Sequence, residues 1–235
     1  MEHEHTPEAI RARLAGLPRI SYLRDWVYGG IDGSVTTFAV VTGVGGADLS
    51  LRIILILGFA NLVADGFSMA ASNYLGTRTE RQEADALRSR EQRHIRSDPA
   101  GEQEEVRQLL AAKGFAGDDL ERAVATVTSD DSRWIEFMLA EEYGLARAMR
   151  SPSAAALATF GAFTLCGLVP LLPFLLHVTN AFALSLVMTA IAFFVVGSAR
   201  SRWLLLSWWR AGFETLALGS IAAALAYAVG WLTRT

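Results

Sequence analysis

The sequence predicts an all-α polytopic membrane protein with five transmembrane helices and a polar helical domain inserted between the second and the third. Its 235 residues are 52% hydrophobic with a mean hydropathy of +0.30, which is too apolar for a soluble protein of this size. A helix needs about 20 apolar residues to cross the hydrocarbon core of a bilayer. Five stretches come close to that length: residues 27–47, 51–75, 154–177, 181–199 and 211–232.

These stretches divide the chain into four parts. Residues 1–26 form an N-terminal segment, 27–76 hold the first two spans, 77–151 hold the inserted domain and 152–235 hold the last three spans. The first span is rich in glycine, which lets neighbouring helices approach closely. The third span contains Pro170 and Pro173, which remove backbone donors and predict a kink or an early helix end.

The basic residues predict the orientation, because short cytoplasmic flanks carry an excess of Lys and Arg. One such group precedes the first span and another lies between the fourth and fifth spans: Arg11, Arg13, Arg19, Arg24, Arg200, Arg202 and Arg210. The opposite side carries only Arg52, His177 and Arg234. We therefore expect a cytoplasmic N-terminus, a cytoplasmic insertion and an external C-terminus. Trp203, Trp208 and Trp209 fit an aromatic belt at the cytoplasmic headgroups.

The insertion predicts three or four helices. Residues 77–98 are nearly all strong helix formers that continue the second span and stop near Asp98-Pro99. Residues 102–114 form a second helix with Gly114 as its C-cap, residues 118–130 form a third, and residues 132–150 form a fourth that leads toward Pro152.

Polar side chains inside the first two spans indicate ion handling. Asp32 lies in the first span, where a carboxylate is costly and usually faces a pathway or a partner. Asn61, Asp65 and Met69 recur every four residues in the second span and share one face. An acid here could bind a divalent cation when ionised and release it on protonation. The alternative is that both aspartates hydrogen-bond across helices and that Met69 only packs.

The insertion offers three pairs of potential ligands, each on one helix face: Glu91 and His94, Glu102 and Glu105, and Met138 and Glu142. Carboxylate, imidazole and thioether together suit iron(II), zinc, cobalt or manganese better than calcium or magnesium. Spacing alone favours the alternative that these pairs are ordinary solvated helix faces, since acidic pairs three residues apart are common there. The single cysteine excludes a thiolate cluster, and a net charge of −3 gives no nucleic-acid footprint.

Three separated blocks resemble the vacuolar iron transporter (VIT) family: DWVYGGIDGSVTTFAVVTGVGGA, GFANLVADGFSMAASNYLG and WIEFMLAEEYGL. The resemblance implies a homodimer that moves iron(II), and in some members manganese(II), out of the cytoplasm in exchange for protons. It makes Asp32 and Met69 the translocation ligands. It also implies a cytoplasmic metal-binding domain at the dimer interface, whose ligands would be Glu91, Glu102, Glu105, Met138 and Glu142.

Three positions depart from the family pattern. His94 stands where an acid is usual, and Leu139 replaces the second methionine of a Met-Met pair, which puts the number and preference of bound ions in question. Asn61 stands where some members carry a glutamate, and an amide cannot take up a proton. Asp65, one turn further along the same face, is then a candidate proton carrier beside Asp32.

We therefore expect a transporter of the bacterial inner membrane with divalent metal ions and protons as its ligands and no prosthetic group. A membrane-anchored metal sensor or storage partner, which binds iron without moving it, is the alternative. An enzyme lacks support, because the sequence contains no catalytic triad, HExxH or phosphate-loop pattern.

Overall fold

The computed structural model describes residues 6–15, 20–145, 149–202 and 207–234, and every regular element in these ranges is a helix. Ten α-helices follow one another: α1 (Pro7–Ala15), α2 (Leu23–Gly46), α3 (Leu51–Ser97), α4 (Pro99–Ala112), α5 (Gly117–Thr128), α6 (Asp131–Glu141), α7 (Pro152–Leu168), α8 (Leu172–Leu175), α9 (Ala181–Ala199) and α10 (Trp208–Leu232). The predicted all-α class is confirmed for the described residues.

Four helical segments in these ranges are long and apolar enough to cross a membrane: α3, α7 with α8, α9 with the 3-10 turn that follows it, and α10. The protein is therefore an integral membrane protein. The prolines act as expected, because α7 ends at Leu168 and a 3-10 turn over Val169–Leu171 leads into α8. Ser185 on α9 donates to the Pro170 carbonyl oxygen at 2.7 Å, which ties α9 to this break.

The chain forms two compact units. The apolar unit comprises Ser21–Thr77 and Ser151–Thr235, and the polar unit comprises Met1–Ile20 and Arg78–Arg150. Helix α3 contributes to both units, since it runs without interruption from Leu51 to Ser97. The predicted arginine and tryptophan flanks include Arg19 and Trp203, which lie outside the described residues.

Helix α2 lies among α7, α9 and α10 in the apolar unit. Glycine makes this possible: a Cβ atom at Gly29 or Gly33 would overlap the α7 backbone at Thr159 or Phe163. At its other end, a Cβ atom at Gly46 would overlap the α10 backbone. The close helix approach that these glycines predict is therefore observed, and α7 is the helix that lies against Gly29 and Gly33.

The polar unit packs around a core of its own from α3, α4, α5 and α6, formed by Ile95, Val106, Leu110, Val124, Trp134, Ile135, Met138 and Leu139. Asp98 caps α4 by accepting from the Gly101 amide at 3.0 Å, and Gly114 follows this helix with φ +97°. The predicted fourth helix was too long, because α6 ends at Glu141. The chain turns at Gly144 with φ +65°, a conformation that glycine adopts without strain.

Candidate metal centres

One predicted ligand pair and one member of a second pair meet in the polar unit. Glu91 and His94 project from the end of α3, and Glu102 projects from the first turn of α4. His94 Nδ1 lies 3.3 Å from Glu102 Oε1 and 3.8 Å from Glu91 Oε1. One potential ligand atom from each of the three side chains lies within 4.8 Å of the other two. We call these three residues the carboxylate–histidine cluster.

The two carboxylates of this cluster are buried. Glu91 is 1% exposed and Glu102 is 6% exposed. Tyr143 donates to Glu91 Oε1 at 2.9 Å, whereas Glu91 Oε2 and Glu102 Oε2 accept no hydrogen bond from the described residues. Buried carboxylate oxygens without donors are costly in a metal-free protein. Coordination to a divalent cation is one way in which such oxygens are satisfied.

The electrostatics of the cluster fit a cation site. Burial, followed by the nearby charges of Glu105 and Glu91, raises the pKa of Glu102 to about 7. Burial also raises the pKa of Glu142, and Glu91 and Glu105 add to that shift. The pKa of the Tyr143 phenol is raised by burial and by its hydrogen bonds to Glu91 and Glu142.

The remaining predicted ligands of the polar unit lie outside the carboxylate–histidine cluster. Glu105 and Glu142 are exposed but act electrostatically on the cluster, so they lie at its margin. Met138 is fully buried and belongs to the apolar core with Val106 and Leu110. Its assignment as a ligand stays a prediction.

Replacing Glu102 with glutamine is expected to change how the metal-free polar unit responds to pH. A folded-state pKa of about 7, above the ordinary value of 4.5, means that Glu102 stabilises the fold below about pH 4.5 and loses this contribution as pH rises through about 7. Glutamine resembles the protonated acid at every pH. With chelator present, α4 amides should therefore exchange more slowly in Glu102→Gln than in the wild type at pH 8, and at similar rates near pH 4.

Glu104→Gln is the matched control on the same helix. Arg107 lowers the pKa of Glu104 through a hydrogen bond, so this glutamate is favoured in its charged form and its loss gives no protection at pH 8. Equal exchange of wild type and Glu102→Gln at pH 8 would contradict the assignment.

In the apolar unit, two sets of hydrogen bonds join α2 to α3. Asn61 Nδ2 donates to Thr36 Oγ1 at 3.1 Å and to Thr37 Oγ1 at 3.2 Å. Asn73 Nδ2 donates to Asp25 Oδ1 at 3.0 Å. The later α3 residue, Asn73, pairs with the earlier α2 residue, Asp25, so the two helices are antiparallel. The two sets of hydrogen bonds fix their register at both points.

This register brings the predicted membrane ligands to nearly one level. At 1.5 Å per residue, Asp32 lies about 10 Å along α2 from Asp25, and Asp65 lies about 12 Å along α3 from Asn73. The carboxylates of Asp32 and Asp65 are close enough to repel each other. Met69, one turn nearer Asn73, is partly buried and packs against the apolar core. Asp32 and Asp65 are likewise half-buried.

Sequence reasoning missed the hydrogen-bond network at the Asp25 end. Asp25 is 3% exposed, and Asn73 also donates to Thr159 Oγ1 at 2.7 Å and to the Ala155 carbonyl oxygen at 3.4 Å. The signal was present, since Asn73 and Thr77 continue the four-residue spacing of Asn61, Asp65 and Met69. Asp25 carries no such signal, because it precedes the first apolar stretch.

Replacing Asn73 with alanine is expected to destabilise the apolar unit. The change removes the donor that joins α3 to α2 and α7 inside the apolar unit, at a cost of roughly 2–3 kcal/mol. The midpoint of thermal unfolding in detergent should fall by several degrees. Ser68→Ala, at an exposed position of the same helix, should leave the midpoint unchanged. A wild-type midpoint for Asn73→Ala would show that this network carries no stability.

Comparison with known proteins agrees with these features. The model of the VIT family matches residues 23–231. Vacuolar iron transporter 1 of Arabidopsis thaliana is 32% identical over 212 residues, which cover 87% of this chain and 83% of that protein. The vacuolar iron transporter of Toxoplasma gondii is 30% identical, covering 90% of this chain and 74% of that protein. Vacuolar iron transporter 1 of Eucalyptus grandis is 30% identical, with coverages of 87% and 84%. The chain therefore belongs to the VIT family.

Proposed function

We propose that this protein exports divalent transition metal, iron(II) first and manganese(II) second, from the cytoplasm in exchange for protons. The observation that supports this most directly is the level shared by Asp32 and Asp65, with Met69 one turn away, between two helices of the apolar unit. The Asp32 carboxylate and the Met69 thioether are ligands that suit a transition-metal ion, and Asp65 supplies a second acid beside them. The relatives named above are vacuolar iron transporters.

In this proposal α2 also crosses the membrane, as the first span in chain order, which brings the number of spans to five. Helix α2 is less apolar than the other four spans because it carries polar side chains. The side chains of Asp25, Ser34, Thr37 and Thr42 are nevertheless buried inside the apolar unit. A helix whose polar groups face protein can cross a bilayer. With the arginine flanks inside, the N-terminus and the polar unit are cytoplasmic and the C-terminus is external. In a bacterial inner membrane this orientation moves metal out of the cell.

A second copy of the chain completes the pathway in this proposal. Asp32 and Asp65 are only half-buried, so the face of the apolar unit that carries them is partly open in a single chain. A homodimer would cover this face and bring two sets of ligands to one axis. Desolvating the site in this way would strengthen its interaction with a cation.

The polar unit would collect the metal before it crosses. Glu91, His94 and Glu102 form the cluster that first binds the ion, with Glu105, Glu142 and Met138 as further ligands. Imidazole and thioether groups favour transition metals over magnesium, which is the competing ion present in excess. The cluster would thus select the ion as well as raise its local concentration.

Proton exchange would follow from the mutual repulsion of Asp32 and Asp65. Two neighbouring carboxylates are stabilised either by a proton or by a bound cation. Loss of the metal on the outer side would let a proton bind, and loss of that proton to the cytoplasm would restore the metal site. The inward proton gradient then drives metal outward.

A flux assay in proteoliposomes tests this function. The full chain is reconstituted, a pH gradient is imposed, and iron(II), manganese(II), cobalt(II) and zinc(II) are supplied in turn. We expect iron(II) flux that requires the gradient and stops when a protonophore collapses it. Binding of these ions without flux of any of them would overturn the proposal and favour a membrane-anchored sensor or storage protein.

A further inference from the structure

We propose that Tyr143 is a positioning residue of the carboxylate–histidine cluster, which holds the Glu91 carboxylate so that its second oxygen is presented to the metal. This inference rests on the proposed role of the cluster in metal binding. It assigns Tyr143 a function although its side chain is not itself a ligand.

The hydrogen bond occupies one oxygen of Glu91 and leaves the other open. The Tyr143 hydroxyl donates to Oε1 at 2.9 Å, and His94 Nδ1 lies 3.8 Å from the same oxygen. Oε2 is buried and accepts no hydrogen bond from the described residues. The donor therefore fixes the rotation of the carboxylate and leaves Oε2 as the atom available to a cation.

The hydroxyl acts as a donor because carboxylates surround it. Glu142, which directly precedes Tyr143, interacts with the same hydroxyl as Glu91 does. An ionised carboxylate only accepts hydrogen bonds, so the phenolic O–H must be the donor in its 2.9 Å contact with Glu91. Tyr143 therefore orients a ligand, as outer-shell donors do in many metal sites.

The turn after α6 explains why Tyr143 reaches Glu91. The Glu142 amide donates to the Met138 carbonyl oxygen, and the Leu145 amide donates to the Leu139 carbonyl oxygen, each at 2.9 Å. Gly144 reverses the chain between these bonds. The Tyr143 ring therefore folds back onto the apolar core of the polar unit, while its hydroxyl reaches α3.

Tyr143→Phe tests the role of the hydroxyl apart from that of the ring. Phenylalanine keeps the apolar packing and removes only the donor, so the unfolding midpoint of the full chain should hardly change. Metal affinity of the polar unit should fall by about 10–100-fold, the usual effect of losing an outer-shell partner. Cobalt(II) is the probe, since its visible absorption reports both binding and ligand geometry. Titrations use full-length protein in detergent with Asp32→Ala in the background, which weakens the membrane site.

A double-mutant cycle with Glu91→Gln shows whether Tyr143 acts through Glu91. If it does, Tyr143→Phe weakens cobalt binding far less in the Glu91→Gln background than alone. Tyr28→Phe, which removes an exposed hydroxyl from the apolar unit, is the control that should leave both affinity and spectrum unchanged. Wild-type affinity and spectrum for Tyr143→Phe would overturn this inference alone. Failure of the parent protein to bind cobalt at the cluster would instead overturn the proposed collecting role.

Discussion

Replacing Asp32 with alanine should reduce metal transport to the rate of empty liposomes. The change removes one of the two carboxylates that share a level between α2 and α3, so a desolvated cation loses a charged ligand at the point where it is hardest to replace. The fold should survive, because the side chain is half-buried and the Thr36 hydroxyl donates to the backbone carbonyl of Asp32, which alanine retains. Iron(II) flux under an imposed pH gradient is the measurement.

Asp48→Ala is the control for this experiment. Asp48 belongs to the same unit and follows α2, but it is exposed and pairs with Arg234. Its loss should leave the flux intact. Wild-type flux through Asp32→Ala would refute the proposed pathway, provided that the variant reconstitutes to the same density.

Replacing Asp65 with asparagine should uncouple transport from the pH gradient while metal still binds. Asparagine has the same shape as aspartate but cannot take up a proton. The neighbouring Asn61 cannot supply that function either, because an amide takes up no proton; its role is to donate to Thr36 and Thr37. We expect equal initial iron(II) flux with and without the gradient in Asp65→Asn, and cobalt(II) binding close to that of the wild type.

Asp65→Glu is the matched control, because it keeps a titratable group on the same face of α3. Its flux should still depend on the gradient. If Asp65→Asn retains the full response to pH, the coupling proton is not carried by Asp65, and Asp32 becomes the remaining candidate acid.

The apolar stretches closely predicted the four helical segments that are apolar enough to cross a membrane, because length and hydropathy decide what a bilayer accepts. The fourth span was expected at residues 181–199 and is α9, Ala181–Ala199. The first predicted span, residues 27–47, corresponds to α2, which begins earlier, at Leu23. Its first turn carries Asp25, and a count of apolar residues stops short of such a side chain. Only the packing of α7 and α3 around Asp25 makes that position interior.

The sequence predicted the ligand pairs of the polar unit, but it could not predict that members of two pairs meet in the carboxylate–histidine cluster. Spacing of three residues places Glu91 beside His94 on one helix, yet it says nothing of which other helix lies opposite. The Asp98 cap and Pro99 start α4 immediately after α3, and this short connection brings Glu102 to His94. The contact of Tyr143 with Glu91 could not be predicted for a related reason, since it depends on the chain reversal at Gly144.

The glycines of α2 and α3 meet different kinds of neighbour. On α2, Gly29 and Gly33 lie against the backbone of α7, whereas on α3, Gly58 and Gly66 lie against the side chains of Leu171 and Phe163. Interlocked backbones cannot slide without separating, but side chains can yield by changing rotamer. In the proposed transport cycle, α2 and α7 are therefore expected to hold Asp32 on a rigid wall of the ion path, while any adjustment on the α3 side falls to the side chains of Leu171 and Phe163.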